Sequence, residues 1–312
     1  MILTVTMNPS IDISYPLKKL EIDEVNRVKN VYKTAGGKGL NVSRVIRLAN
    51  REVTATGIIG GFLGGYIEKH LYDENIVHNF YKIDQESRNS IAILHDNGKQ
   101  TEILENGPTI SSGDAENFLS YFDDISRNYN LVTMSGSLPC GLEADYYSKL
   151  VEIAKSNKAK ILLDTSGEAL KTSLNMQIKP DLIKPNETEI KQLTGKDINL
   201  ENIEEIKQVL NDVIFEDVEW ICVSLGANGA IVKHNKNFYK ANIPQITVAN
   251  PVGSGDSTLA GLAIAIDEKR DVSEVIKYGM TMGMLNTMEK KTGYIDMNKF
   301  EEFYNKIDVI SL

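Results

Sequence analysis

The segment Asn250-Pro251-Val252-Gly253-Ser254-Gly255-Asp256-Ser257 sets two glycines, hydroxyls and a carboxylate in one turn, directly before an apolar helical period. Glycines at such a turn let backbone N–H groups point at an anion, and the positive end of the following helix dipole strengthens the attraction. The chemistry indicated is the holding of phosphate charge. A carboxylate in the first helical turn repels that charge. Asp256 therefore reads either as a general base that activates a hydroxyl toward the phosphate, or as an acid that merely caps the helix.

A second glycine cluster, Ala35-Gly36-Gly37-Lys38-Gly39-Leu40-Asn41, also runs into a helical period. Its glycines permit close backbone approach to a ligand, and Lys38 and Asn41 offer donors to sugar hydroxyls or an anionic group; a flexible turn is the other reading. In Lys184-Pro185-Asn186-Glu187-Thr188-Glu189, Asn186 and Glu189 have capping-box spacing, which also presents an amide and a carboxylate suited to ordering waters around Mg²⁺ on a nucleotide. Ser224 to Ala230, with Gly226 and Gly229, reads as a hairpin turn or as a nucleotide-facing loop. The G-x-G-x-x-G fingerprint is missing, which disfavours a nicotinamide-dependent oxidoreductase, and so are the P-loop, the G-x-S-x-G elbow and the H-R-D and D-F-G kinase motifs.

The elements that must position these residues alternate. Strand-like runs at 2–5, 131–135, 160–164, 182–184, 220–224 and 230–233 are separated by helical periods such as Val42, Val45, Ile46, Ala49 and Leu259, Leu262, Ala263, Ile266. The pattern predicts an α/β domain with a mainly parallel sheet, its ligands beyond the carboxyl ends of the strands. The β-rich 246–248 is expected to lead into the Gly253 turn. Residues 11–34 and 88–107 instead show strand alternation with no helix between, and Asp96-Asn97-Gly98-Lys99 carries a hairpin signal. Together they predict a small antiparallel sheet inserted in the main domain, serving as a lid, a homodimer surface, or both.

Composition narrows the class further. The 312 residues are 42% hydrophobic and 25% charged, with 8 prolines and 23 glycines, proportions that exclude disordered and collagen-like chains. With 34 basic against 43 acidic residues the net charge is −9, so nucleic acid is not the expected partner. Two cysteines make no disulfide framework, no apolar run is long enough to span a bilayer, and the start lacks a basic leader, so a cytoplasmic protein is expected. His70, His78, His95 and His234 lack metal-ligand spacing and read as surface or lid residues.

Taken together, Gly36-Gly37-Lys38-Gly39 with Asn41, Lys184-Pro185-Asn186 with Glu189, Gly253-Ser254-Gly255-Asp256 and the opening Asn8-Pro9-Ser10-Ile11-Asp12 resemble the ribokinase-like sugar kinases of the phosphofructokinase B group over nearly the full chain. Two departures are Ser254, where alanine is commoner, and Cys140, where relatives often carry lysine or proline. The resemblance implies a three-layer α/β sandwich over 1–312 with a discontinuous β lid from about 11–34 and 88–107. It further implies ATP- and Mg²⁺-dependent phosphorylation of a ketohexose phosphate, D-tagatose 6-phosphate first and fructose 1-phosphate as the alternative. A sugar-phosphate sensor without catalysis is a less favoured reading.

By the same resemblance Asp12, Gly37 and Asn41 hold ketose hydroxyls, and Lys38 and Arg88 grip the phosphate already on the sugar. A planar guanidinium suits that task, although Arg88 also reads as a solvated strand-edge cation. Asp256 takes the hydroxyl proton while Gly253, Ser254 and Gly255 stabilise the moving phosphoryl group. Lys184, Asn186, Glu189, Ser224, Gly226, Gly229 and Asn286 face the nucleotide, with Asn186 and Glu189 reaching the metal through waters.

Overall fold

The structure is a computed structural model that describes residues 1–96, 98–196 and 202–312. Strand β1 (Ile2–Thr6) passes through Met7-Asn8-Pro9 into β2 (Ser10–Pro16), and β3 (Tyr32–Gly36) turns at Gly37 into helix α1 (Lys38–Leu48). Next come β4 (Val53–Gly60), α2 (Gly61–Asp73), the short β5 (Val77–His78) and β6 (Tyr81–Ile83), then β7 (Arg88–His95) and β8 (Lys99–Leu104). Helix–strand units follow: α3 (Ser112–Ser126), β9 (Leu131–Ser135), α4 (Tyr146–Ser156), β10 (Lys160–Asp164), α5 (Gly167–Asn175), β11 (Leu182–Ile183), α6 (Glu187–Thr194) and α7 (Ile203–Leu210). A meander of β12 (Trp220–Ser224), β13 (Ala230–His234) and β14 (Asn237–Asn242) precedes α8 (Ser254–Asp267), α9 (Val272–Thr287), α10 (Phe300–Tyr304) and β15 (Asp308–Ser311).

The large sheet runs β15-β14-β13-β12-β11-β10-β9-β1-β4-β5, with β6 also on β4. Its middle, from β4 through β12, is parallel, and β12 to β15 pair antiparallel. Alternate residues feed two cores, as the two faces of a pleated strand require. Leu3, Val5, Val132 and Leu163 join Phe118 and Tyr147 on one face. Ile2, Leu131 and Leu162 join Val42, Val45, Leu259 and Leu262 on the other.

The lid is a separate sheet ordered β3-β2-β7-β8. Its two halves meet in parallel, with Ser10 opposite Arg88, while β2–β3 and β7–β8 are antiparallel, so the sheet is mixed and not the antiparallel one expected. The parallel pairing follows from the route of the chain, because β2 leaves the central sheet in the same direction in which β7 arrives. Asn97 of the expected turn lies outside the described residues.

One further expectation is corrected, and two features were not anticipated. Residues 246–248 form no strand; a loop anchored by the Ala249 and Asn250 N–H groups on the Thr287 carbonyl leads to the Gly253 turn. Helix α8 has no polar face, since every residue from Asp256 to Ala265 is buried under α9, α1 and the sheet. The fully buried strand β4 was not foreseen, because Thr54, Thr56 and Gly57 interrupt its apolar run.

Candidate active site

Helix α8 begins at Gly253, whose φ of 83° suits glycine, and no side chain caps it; the Ser254 N–H meets the Pro251 carbonyl at a long 3.3 Å, and the N–H groups that follow are open to an anion. A Cβ on Gly253 would lie 2.6 Å from the Thr292 methyl. Asp256 sits at the third helical position but does not cap. Its Oδ2 accepts from Asn41 Nδ2 at 2.9 Å, which removes the capping reading. The Lys184 ammonium lies over Gly255, 3.1 Å from where a Cβ would stand.

Asp164, at the carboxyl end of β10, ties these groups together. It lies 3.5 Å from the Lys184 amine and 3.9 Å from the Lys38 amine. Sequence reasoning missed it as a site residue, although an acid ending an expected parallel strand was the available signal. Burial, together with the charge of Asp164, lifts the Asp256 carboxyl to about 7, against the downward pull of Asn41, Lys38 and Lys184. Burial opposes the charge on Lys184, but Asp164 and the neighbouring acids outweigh it and hold the amine above its usual range. Asp256 is thus poised to take a proton near neutrality.

On the lid side, Asp12 is partly buried and accepts from Ser10 Oγ at 2.7 Å. Its carboxylate fills the space where a Cβ on Gly36 would fall, 2.0 Å from Cγ, so a larger residue there would push the carboxylate aside. Burial raises the Asp12 carboxyl, with Arg44 and Arg88 drawing it back. Arg88 is half-buried and donates through Nε to the Asn8 carbonyl at 3.2 Å and through Nη1 to the Glu105 carbonyl at 2.9 Å. Those bonds remove the solvated-cation reading.

At α6, Asn186 and Glu189 form a reciprocal capping box, each backbone N–H reaching the other's side-chain oxygen at 2.9 Å. One oxygen of Glu189 and the side-chain nitrogen of Asn186 have no part in that exchange, and burial, ahead of the repulsion from Asp164, raises the Glu189 carboxyl. This donor set fits a water-mediated metal. Among the described residues no group of three His, Cys, Asp or Glu could enclose an ion directly.

Ser224 ends β12, and Gly226 to Asn228 form a 3₁₀ turn into β13, so the segment is a hairpin connection. Leu225, Ala227, Asn228, Ile231 and Lys240 help to line a cavity of about 380 Å³ beside it, in the size range of small-ligand pockets. Asn286, expected on the nucleotide side, is fully buried in α9, donates to the Tyr294 carbonyl at 3.1 Å, and turns an unpartnered Oδ1 toward Gly253. The structure thus gathers Lys38, Asn41, Lys184 and Gly253 to Asp256, with Gly37 opening α1 between them and Asp12, while the capping box and the hairpin stand on neighbouring strand ends. Cys140 is exposed.

The pfkB family carbohydrate kinase model matches residues 5–298. A presumptive phosphofructokinase from Staphylococcus aureus is 31% identical over 100% of this chain and 99% of its own, with a TM-score of 0.86. A candidate 1-phosphofructokinase from Thermotoga maritima superposes with a TM-score of 0.89 at 23% identity, covering 100% and 99% of the two chains. Arabidopsis thaliana ribokinase, complexed with ribose and ATP, superposes at 0.77 with 21% identity, covering 97% and 98%. The fold is ribokinase-like, and among the described residues no helix is long and apolar enough to cross a membrane. With matched residues reaching from the first strand to the last helical turns, the chain belongs to the pfkB family of carbohydrate kinases.

Proposed function

We propose that this chain transfers the γ-phosphoryl group of ATP to the free primary hydroxyl of a ketohexose phosphate, with D-tagatose 6-phosphate as the acceptor. One observation carries the reading: a carboxylate poised near neutrality, buried at the uncapped positive end of α8 and bonded to the amide of Asn41. Asp12 and Asn41 hold the ketose hydroxyls, and Arg88 with Lys38 takes the phosphate already present.

Asp256 accepts the hydroxyl proton as that oxygen forms its bond to the γ-phosphorus, and the bond to the departing ADP oxygen breaks. The N–H groups at Gly253, Ser254 and Gly255 and the Lys184 amine stabilise the charge of the transferring group. The hairpin at Ser224, Gly226 and Gly229 and the cavity beside it receive the nucleoside. Asn186 and Glu189 would hold Mg²⁺ through waters, and the ion would supply neutralisation of phosphate charge there. Residues 1–312 act as one kinase unit over which the β2–β3 and β7–β8 sheet closes, excluding water that would waste ATP. That sheet also supplies a homodimer surface, since β8 is exposed along its length.

Comparing kcat/KM for tagatose 6-phosphate, fructose 6-phosphate and fructose 1-phosphate in an ADP-release assay tests the assignment. A preference for fructose 1-phosphate makes the chain a 1-phosphofructokinase. Absence of ADP release with every sugar leaves only a sensing role. Sedimentation of wild type and of a charged Ile103→Glu variant reports on the dimer.

A further inference from the structure

Arg44 lies on the buried face of α1 with 2% of its surface exposed, a rare place for a guanidinium. Each of its three nitrogens donates to a partner. Nε bonds both Glu74 oxygens at 3.0 and 2.9 Å, Nη2 the Ala35 carbonyl at 2.6 Å, and Nη1 the Oδ1 of Asn41 at 3.1 Å. Tyr294 lies 5.3 Å from the guanidinium carbon and donates its hydroxyl to Glu74 at 2.8 Å. The cluster joins α1, the end of α2, lid strand β3 and the loop after α9.

An asparagine amide has two orientations related by a half-turn, one offering a donor where the other offers an acceptor, and its neighbours must choose between them. With Oδ1 held by Arg44, only Nδ2 can face Asp256. We infer that Arg44 is a positioning residue for phosphoryl transfer: it locks the Asn41 amide in the orientation that donates to Asp256, and so governs the base without touching substrate. The inference rests on the proposed reading of Asp256 as that base.

Charge alone does not account for the arrangement, because Glu74 neutralises Arg44 within the same cluster. Turned over, the amide would set its oxygen against the carboxylate, withdrawing the bond that favours the ionised form. Asp256 is also faced by Lys38 of α1, Asp164 of β10 and Lys184 beyond β11. Arg44 is faced by Glu74, Tyr294 and, more distantly, Asp12 of β2, whose carboxyl it draws down. Loss of Arg44 therefore acts on Asp12 directly and on Asp256 through Asn41.

The test uses the full chain with carbon-13-labelled aspartate, the Asp256 carboxyl resonance being assigned by Asp256→Asn. The double variant Arg44→Met/Glu74→Gln removes both charges at similar volume and leaves no unpaired buried ion. In it the Asp256 carboxyl is expected to titrate about one pH unit higher, and kcat at pH 7 to fall about fivefold while recovering near pH 9. Arg44→Lys shows the same shift, since one ammonium cannot replace the fork that spans Glu74, Ala35 and Asn41. With Asn41→Ala already present, removing Arg44 moves Asp256 no further.

An unmoved Asp256 titration overturns the inference, and so does wild-type titration restored by Arg44→Lys. A shift that persists in full without the Asn41 amide, or a raised KM alone through Asp12, overturns it as well. If the double variant does not fold, Arg44→Lys decides. Absence of phosphoryl transfer by the wild type sinks the kinase reading, while the carboxyl titration, which needs no turnover, still decides the role of Arg44.

Discussion

The Asn41 amide donates to the Asp256 carboxylate across 215 residues of sequence, joining the first turn of α1 to the first turn of α8. On the proposed reading each helix brings a different partner to the same point, the sugar side from one glycine turn and the phosphate side from the other. Asp256→Asn keeps the shape and removes the proton acceptor. Steady-state kinetics are expected to show kcat lower by about 10²–10⁴-fold with little change in KM for the sugar phosphate. A near wild-type kcat removes the base assignment.

Activity should also fall on the acid side of neutrality. Asp256 works as a base only when ionised, and its carboxyl stands at about 7, lifted by burial and then by Asp164. The pH profile of kcat is expected to show an acid limb near that value. Asp164→Asn removes the like charge and moves the limb to lower pH, the reverse of the shift expected on removing Arg44.

Arg88 holds the Asn8 carbonyl of the β1–β2 corner and the Glu105 carbonyl beyond β8 in one guanidinium fork. Losing a charged hydrogen bond to phosphate is worth about 1.5–3 kcal/mol, so Arg88→Ala is expected to raise KM for the sugar phosphate roughly 10- to 100-fold while kcat changes little. Arg88→Lys does not recover the affinity, because a single ammonium has no second arm. A KM within twofold of wild type removes Arg88 from the phosphate site.

The poised base has a cost in stability. The Asp256 carboxyl is raised from 3.8 to about 7 on folding, so the native state binds more protons than the unfolded chain between those values. Its contribution is fully present below pH 3.8 and is lost as pH rises through about 7. Asp256→Asn is expected to be more stable than wild type at pH 8, by up to roughly 4 kcal/mol, with the difference shrinking toward pH 4. Urea midpoints at the two pH values measure it, and equal midpoints at pH 8 overturn it.

Both glycine turns, the capping box and most central strands were readable because each is local: a turn needs its glycine, a cap its acid three residues on. Arg44 and Asp164 were not, since a charge within an apolar period looks like surface until the opposing elements are in place. The loop before Gly253 was misread for a related reason. Its β-branched residues favour a strand, yet the chain is tied to α9 through the Ala249 and Asn250 N–H groups just after them instead of to a neighbouring strand. The parallel meeting of β2 and β7 was likewise hidden, because it depends on where the intervening 70-odd residues return the chain.

Helix α8, sunk on every side between α9, α1 and the sheet, has a bearing on biosynthesis. All of α1 and the strands from β1 to β14 leave the ribosome before Ser254 appears, and the groove awaiting it is by then lined with hydrocarbon. A nascent chain therefore holds an open, sticky trough and lacks the Asp256 carboxylate. Exposed hydrocarbon of that kind makes an incomplete chain prone to aggregation.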